Sequence, residues 1–252
     1  MAPTVLVTGG GTGLGAATAR LLASRGYDVH VAGRTAATLE TVVAGVVGAG
    51  GRAHAHLLDV RDAEACAQVV ADVVAGSGRL DVLVNNAGVF RRGTATTVTA
   101  EDWDQTLGVN LTGALHAAQA AVRQMCRQSP QDGCRGQVLN INSGAGLRGY
   151  EQGAAYSASK FGLLGLSDAL RQEVGPSLVK VTDVVVATAV ESVLSGRTDL
   201  RRLPADAVAR VVADVLAMPG AATISRVDLT QLEPEPAPEP EPEPAPERVG
   251  RA

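Results

Sequence analysis

Short apolar segments alternate with longer amphipathic segments along this chain, and that alternation restricts its fold more than any other feature. Helices are predicted between the apolar runs, for example at Gly13–Arg25 and Ala63–Ala75, each followed by a glycine that ends it. Strands are predicted at Thr4–Thr8, Val29–Gly33, Ala53–Leu58, Val82–Asn85, Gln137–Asn142, Lys180–Val186 and Thr223–Leu229. Strands that are apolar on both faces need helices on both sides. The pattern therefore predicts an α/β fold with a single doubly wound parallel sheet.

Length, cysteine content and charge narrow the class of protein. A chain of 252 residues accommodates one large α/β domain. Its three cysteines form no CxxC pair, and no uncharged apolar run approaches the ~18 residues of a membrane span, so we expect a cytoplasmic protein. The charges of residues 1–232 cancel and contain no basic block, which gives no reason to expect nucleic acid as a partner.

The last residues differ in composition from everything before them. Glu233–Glu247 reads EPEPAPEPEPEPAPE. Proline lacks the backbone donor that strands and helices need, and the glutamates repel one another. We therefore predict a folded domain at 1–232 and a disordered tail at 233–252.

The first strand runs into a glycine-rich turn, TGGGTGLG, at residues 8–15. Gly11, Gly13 and Ala16 satisfy the loose GxGxxA pattern, and the turn stands at the first junction from strand to helix. Glycine allows a tight turn and lets backbone approach a pyrophosphate, whose charge then lies on the amides of the helix N-terminus. The turn therefore predicts a dinucleotide site.

The residue after the second strand selects between the two nicotinamide cofactors. A site for NAD usually has an acidic side chain there, to bind the ribose 2′-hydroxyl. Here the strand ends in Gly33 and Arg34, and no carboxylate follows until Glu40. A guanidinium suits a 2′-phosphate, so we predict NADP(H) as the cofactor. Thr12 stands in the glycine turn where a second basic residue would strengthen that preference.

Tyr156 and Lys160 lie four residues apart at the start of a predicted helix and so share one face. A nearby ammonium favours the phenolate and is expected to lower the pKa of Tyr156 from ~10, which would suit it to proton transfer with an alcohol oxygen. Ser143 follows the fifth strand and could donate a hydrogen bond to that oxygen. These residues predict a carbonyl or alcohol oxidoreductase with Tyr156 as acid/base.

Together these motifs resemble the short-chain dehydrogenase/reductase family, whose domain has the Rossmann-type fold. The matching segments are the glycine turn, Asp59-Val60, Asn85-Asn86-Ala87-Gly88, Asn110 in GVNLTG, and Ser143 followed 13 residues later by Tyr156 in YSASK. They span about residues 3–230 in the family's order. The resemblance implies an NADP-dependent enzyme acting on the CH–OH group of a small-molecule carbonyl or alcohol substrate.

The resemblance also assigns roles to individual residues. It implies that Lys160 binds the nicotinamide ribose, that Asn110 positions a water in the proton path, and that Asp59 and Val60 contact the adenine. It further implies a homodimer or homotetramer that pairs the helix bearing Tyr156. The cofactor-binding residues it implies are Gly9, Gly11, Thr12, Gly13, Leu14, Gly15, Arg34, Asp59, Val60, Asn86, Ala87, Gly88, Tyr156, Lys160, Val190 and Ser192.

Two segments depart from the family's pattern. After the sixth strand the family has a Pro-Gly pair, whereas this chain reads Val186-Ala187-Thr188-Ala189-Val190. The substrate lid that follows is short, at Val193–Leu203. Both departures favour an alternative function, a non-catalytic dinucleotide-binding redox sensor or partner subunit on the same fold. The presence of Asn110, Ser143, Tyr156 and Lys160 favours the enzyme.

His54 and His56 alternate along the predicted third strand. Two imidazoles on one face could hold a metal ion, but the sequence shows no third ligand near them. We therefore expect ordinary strand residues and no metal site.

Overall fold

The computed structural model describes residues 2–187, 203–220 and 222–230. In these residues seven parallel strands form one sheet in the order β3-β2-β1-β4-β5-β6-β7. The strands are β1 (Thr4–Thr8), β2 (Asp28–Gly33), β3 (Arg52–Leu57), β4 (Val82–Asn85), β5 (Gly136–Ser143), β6 (Val179–Val186) and β7 (Arg226–Leu229). The predicted parallel sheet is confirmed. The last strand begins later than predicted, at Arg226 rather than Thr223.

Helices cover both faces of the sheet, as a doubly wound fold requires. The α-helices of the described residues are α1 (Gly13–Ser24), α2 (Ala36–Gly48), α3 (Ala63–Ser77), α4 (Ala100–Leu107), α5 (Gly113–Met125), α6 (Ala154–Val174) and α7 (Ala205–Leu216). Buried residues of α1, α2 and α7 pack in one apolar cluster with the sheet. Those of α3, α5 and α6 pack in a second cluster on the other face. Valine, leucine and alanine dominate both cores.

The strand order determines where a ligand can bind. From β1 the chain builds outward through β2 to β3, and then returns to add β4 on the other side of β1. The helices after β1 and β4 therefore leave in opposite directions, and a crevice opens beyond the carboxyl ends of these strands. The glycine turn follows β1 directly, at the edge of that crevice.

Part of the sequence prediction falls on residues that the structure does not describe. The tail at 233–252 and nearly all of the lid at Val193–Leu203 lie outside the described residues, so both stay predictions. Among the helices that the structure does describe, none is long and apolar enough to cross a membrane.

Candidate active site

The glycine turn takes its shape from backbone that allows no side chain. Gly9 has φ +63°, and a Cβ there would lie 2.9 Å from the Cα of Ala87. A Cβ on Gly15 would lie 2.3 Å from the carbonyl oxygen of Gly9. Both distances are too short for real contacts, so glycine is required at these two positions.

The first helix begins next to this turn. Gly13 is its first residue, and Thr12 before it is extended and makes no capping bond through its side chain. The first backbone N–H groups of a helix have no partner within the helix, and they carry partial positive charge. They suit a phosphate of a bound dinucleotide. Leu14 packs against the core beneath the turn.

Side chains from β1 and β4 hold the turn in place. The Thr8 hydroxyl accepts hydrogen bonds from the amides of Asn86 and Ala87, both at 3.1 Å. The side-chain amide of Asn86 donates to the carbonyl oxygens of Thr8 at 2.9 Å and Gly9 at 3.1 Å. Asn86 therefore supports the turn from below. The sequence analysis did not single out Thr8, although its place at the end of β1 was a signal for it.

A groove of about 200 Å³ runs from the glycine turn to the ends of β2 and β3. Eight residues predicted to bind the cofactor line it: Gly9, Gly11, Thr12, Arg34, Asp59, Val60, Ala87 and Gly88. Seven others were missed: Gly33, Thr35, Thr38, Leu39, Leu58, Val89 and Val109. Gly13, Leu14, Gly15 and Asn86 are not among the residues that line it. The apolar members of this set had no signal beyond their places beside the predicted strand ends.

Two arginines determine the charge at the far end of the groove. Arg61 donates to both carboxylate oxygens of Asp59, at 3.0 Å from Nε and 2.6 Å from the guanidinium tip. These bonds hold the pKa of Asp59 below its usual range, and the charge of Arg34 acts in the same direction. Arg34 is exposed directly after β2. This end of the groove therefore presents a guanidinium beside a carboxylate that Arg61 already neutralises.

Three predicted catalytic residues come together at the end of β5 and the start of α6. Ser143 is the last residue of β5, and its side chain lies near enough to the Tyr156 hydroxyl to influence the pKa of that phenol. Lys160 lies one helical turn after Tyr156, with Nζ 5.7 Å from the centre of the tyrosine ring. The Lys160 ammonium is buried and donates to the Ile141 carbonyl oxygen at 2.8 Å.

The protonation of this group differs from the expectation. Burial raises the pKa of Tyr156, and the Ser143 side chain opposes that change. The prediction that Lys160 lowers the Tyr156 pKa is wrong for this structure, because the ammonium is directed to Ile141. Burial lowers the pKa of Lys160 to about 8, against the opposing charge of Asp183. The phenol is therefore held in its protonated form, as a proton donor to an alkoxide must be.

Asn110 lies in a break within a long helix. Residues Gly108–Thr112 form a π-helical segment between α4 and α5. The side-chain amide of Asn110 donates to the Val89 carbonyl at 2.9 Å and to the Ser159 hydroxyl at 3.1 Å. The side-chain oxygen of Asn110 accepts from the backbone amide of Val89 at 2.8 Å. Such π segments leave backbone groups outside the helical pattern and are frequent at functional sites. The sequence analysis did not foresee this break.

An aromatic group stands beside the Tyr156 ring. Phe90 meets Tyr156 edge to face, with ring centres 5.1 Å apart, and Tyr150 stacks on Phe90 at 6.3 Å. The whole chain has two Phe, three Tyr and one Trp, so half of its aromatic residues gather here. That scarcity was a signal that the sequence analysis left unused for Phe90 and Tyr150.

The departures from the family pattern fall at the edge of what the structure describes. The Ala187 amide donates to the Leu229 carbonyl oxygen at 2.8 Å, which fixes the end of β6. Thr188, Ala189, Val190 and Ser192 lie outside the described residues. The cofactor contacts expected from Val190 and Ser192 therefore stay predictions.

Comparison with known protein sequences identifies the family. The family model for short chain dehydrogenases matches residues 3–199. A putative ketoacyl reductase of the monensin polyketide synthase from Streptomyces virginiae is 37% identical over 179 residues, which cover 71% of this chain and 67% of that protein. The D-threitol dehydrogenase of Mycolicibacterium smegmatis is 37% identical over 180 residues, with the same coverage of each chain.

Solved structures agree with the sequence comparison. A metagenomic short-chain oxidoreductase in complex with NADP is 34% identical, with a TM-score of 0.79 over 91% of this chain and 98% of that one. A variant of actinorhodin polyketide ketoreductase with NADPH is 28% identical, with a TM-score of 0.82 over 90% and 95%. The predicted Rossmann-type fold and the predicted family are both confirmed. The chain belongs to the short-chain dehydrogenase/reductase family.

Proposed function

We propose that this chain transfers a hydride between NADP(H) and a carbonyl or secondary-alcohol substrate, with Tyr156 as the acid/base. The observation that carries the proposal is the placement of Ser143 beside the buried Tyr156 hydroxyl, with Lys160 one helical turn away. Oxidoreductase activity with a nicotinamide cofactor is the activity of the family to which the chain belongs. Its reductase and dehydrogenase relatives, and the NADP and NADPH complexes of similar structures, support the same assignment.

The residues of the groove fit a bound dinucleotide. The backbone cradle at Gly9 and Gly15 has no space for side chains, which leaves the turn open to a pyrophosphate. The start of α1 supplies amide donors, and Asp59 and Val60 border the region proposed for the adenine. When bound, NADPH supplies the hydride. Arg34 faces the position proposed for the 2′-phosphate, and this favours NADP(H) over NAD(H).

The catalytic residues divide the work between orientation and proton transfer. Ser143 donates a hydrogen bond to the substrate oxygen and orients it. Tyr156 gives its phenolic proton to the same oxygen when the carbonyl is reduced, and takes that proton back when the alcohol is oxidised. Lys160 holds a buried ammonium one helical turn from Tyr156, and we assign it to binding the ribose of the nicotinamide. Asn110 holds the π segment against Val89 and Ser159, so that a water can bind beside this group.

The aromatic group points to the kind of substrate. Phe90 and Tyr150 place apolar surface beside the Tyr156 ring, where the carbonyl would lie. We therefore propose a carbonyl compound with an apolar or aromatic substituent. The alternative of a non-catalytic sensor has no use for the assembled Ser143, Tyr156 and Lys160.

Turnover of NADPH tests the proposed function directly. The protein is assayed by NADPH absorbance against a panel of ketones, aldehydes and quinones, with Tyr156→Phe and the distant Tyr27→Phe as matched variants. Loss of general acid catalysis lowers kcat by roughly two orders of magnitude or more in Tyr156→Phe, with NADPH affinity retained. Tyr27→Phe keeps wild-type turnover. Turnover by Tyr156→Phe within a few-fold of wild type would exclude the assigned role.

We also propose a homodimer or homotetramer formed through α6, in the cytoplasm. Phe161 on this helix is 47% exposed, and Gly165 has open space around it, so both can meet a partner helix. Gly162 instead packs against Leu111 of the same chain. All three cysteines are free, as a reducing compartment requires. Sedimentation velocity at micromolar concentration tests the assembly, and a monomer contradicts it.

A further inference from the structure

A cluster of imidazoles lies away from the active site, on the face of the sheet that α3 covers. Asp28 and His30 are alternate residues of β2, and His54 and His56 are alternate residues of β3. The strand register pairs His30 with His54, and Ala32 with His56. All four polar side chains therefore share one face. Asp28 and His30 are distant from His54 and His56 in sequence, and only this register brings a third ligand beside the two histidines.

The side chains of the cluster are in direct contact. His30 Nδ1 lies 2.9 Å from His56 Nε2, and His30 Nε2 lies 3.0 Å from the Ser77 hydroxyl at the end of α3. Ser77 donates to one oxygen of Asp28 at 2.9 Å, and His54 Nε2 lies 3.1 Å from the other. The His30 ring also stacks on that of His54, with centres 4.6 Å apart.

These contacts determine the arrangement of protons. The Asp28 carboxylate is an acceptor, so the hydroxyl of Ser77 donates to it and accepts from His30 Nε2. His30 Nδ1 then accepts from His56 Nε2. In this arrangement Nδ1 of His30 carries no proton, so the ring is a neutral imidazole. A neutral imidazole is the form that binds metal ions.

The cluster combines a buried base with a route from solvent. His30 is 3% exposed, whereas the His54 side chain is 53% exposed and that of Asp28 is 15% exposed. An ion can therefore reach His54 and Asp28 first, and then His30 behind them.

We propose that Asp28, His30 and His54 bind a divalent transition-metal ion of the zinc type. One ligand atom from each of the three lies within 4.8 Å of the others. Two imidazoles and a carboxylate are a ligand set that Zn²⁺ accepts, with water completing a tetrahedron. Bonds of about 2.0–2.1 Å to each ligand need separations of about 3.3 Å between ligand atoms. The pair Asp28 and His54 already has this spacing, and small side-chain rotations bring His30 to it.

Two more residues complete the site from behind. Metal-bound imidazoles commonly donate their other ring N–H to a partner, which fixes their orientation. His56 is such a partner for His30: once the metal takes Nε2, the His30 proton is on Nδ1 and is donated to Nε2 of His56, whose own proton is then on its Nδ1. Ser77 keeps its bond to Asp28.

The proposed site lies at the end of β2 opposite Arg34. We therefore expect the metal to stabilise the fold and to take no part in hydride transfer. β3 is the edge strand of the sheet. A metal bridging β2 and β3 fastens that edge and raises the free energy of unfolding, because it binds the folded chain alone.

Zinc binding to the full-length protein tests the proposal. The protein is treated with EDTA, freed of chelator and titrated with ZnCl₂ in a calorimeter, and the melting temperature is recorded with and without zinc. Asp28→Asn and His54→Gln each remove one ligand near the surface and spare the buried His30. His116→Gln is the matched control, because His116 lies outside the cluster. X-ray absorption on the zinc-loaded protein reports the ligand type.

The expected result is one zinc per chain and a higher melting temperature with zinc. Asp28→Asn and His54→Gln weaken binding by roughly tenfold or more, which is the least effect expected of a direct ligand. His116→Gln binds as wild type does, and absorption shows nitrogen and oxygen ligands at about 2.0–2.1 Å without sulfur at about 2.3 Å. Equal zinc affinity of wild type, Asp28→Asn and His54→Gln would overturn the proposal, as would sulfur ligation or the absence of stoichiometric binding.

Discussion

The nucleotide side and the catalytic side of this crevice are built by different means. On the nucleotide side, after β1, β2 and β3, the shape comes from backbone: Gly9 and Gly15 leave no space for a Cβ. On the catalytic side, after β5 and at the start of α6, the shape comes from side chains bonded to one another. There the Asn110 side chain bonds to the Ser159 hydroxyl, and Lys160 bonds to the Ile141 carbonyl.

This difference predicts how the two sides respond to substitution. A backbone cradle binds ground state and transition state alike, so damage to it should appear in cofactor affinity. The hydroxyls of Ser143 and Tyr156 act on the substrate oxygen as charge develops there. Substitution of either residue should therefore lower kcat.

Ser143→Ala gives the largest expected effect. It removes the proposed donor to the substrate oxygen, and kcat should fall roughly a hundredfold, the loss typical of one such donor. The dissociation constant of NADPH, measured by fluorescence, should stay unchanged. Ser157→Ala, on the helix that carries Tyr156, is the matched control, because the buried Ser157 hydroxyl has no hydrogen-bond partner among the described residues. A Ser143→Ala variant that loses NADPH affinity instead would contradict the separation of cofactor binding and catalysis between the two sides.

Arg34→Asp tests the nucleotide side. A guanidinium–phosphate contact contributes about 1.5–3 kcal/mol, so wild type should prefer NADPH over NADH by roughly ten- to a hundredfold in kcat/KM. Thr12, which is uncharged, should keep the preference near the lower value. The variant should reverse it, with kcat at saturation nearly unchanged. Arg20→Asp, on the exposed face of α1, is the control. Equal use of both cofactors by wild type contradicts the assignment of Arg34.

The pH dependence tests the catalytic side without a substitution. Burial lowers the pKa of Lys160 to about 8, so this group is charged below pH 8 and neutral above it. Burial raises the pKa of Tyr156, so the phenol keeps its proton throughout that range. The kcat/KM for NADPH at saturating ketone should be level below pH 8 and fall about tenfold per pH unit above it. A profile that stays level to pH 10 would show that the charge of Lys160 does not control this step.

Local sequence patterns predict part of each side of the crevice, and they miss the contacts between distant segments. The positions of the strands along the chain, the glycine turn, Arg34 and the group of Ser143, Tyr156 and Lys160 follow from local patterns, and the structure places the turn and these residues after the strands, as expected. What a pattern in one segment cannot contain is the relation between segments. The Thr8 hydroxyl acts on amides 78 and 79 residues away, and Phe90 reaches Tyr156 only through the fold.

Burial explains the other differences. Spacing placed Lys160 beside Tyr156, but the direction of the ammonium and the pKa of the phenol depend on how deeply each group is enclosed. The same limit applies to the imidazole cluster. His54 and His56 have the period of a strand, while Asp28 and His30 join them only through the register of β2 against β3.

The smallest expected effect compares two glycines and tests whether the nucleotide side depends on backbone shape. Gly9 has φ +63°, and a Cβ there would meet the Cα of Ala87. Left-handed backbone costs other residues about 1–2 kcal/mol, so Gly9→Ala should lower the free energy of unfolding by at least that amount. Gly45, inside α2, has open space around it, and Gly45→Ala should raise the same quantity by about 0.5–1 kcal/mol. Urea unfolding with and without NADPH measures both.

Because the shifted turn binds the pyrophosphate less well, NADPH should stabilise Gly9→Ala less than it stabilises wild type or Gly45→Ala. If NADPH stabilises all three proteins equally, the cradle tolerates a side chain, and the contrast between a backbone-built side and a side-chain-built side fails.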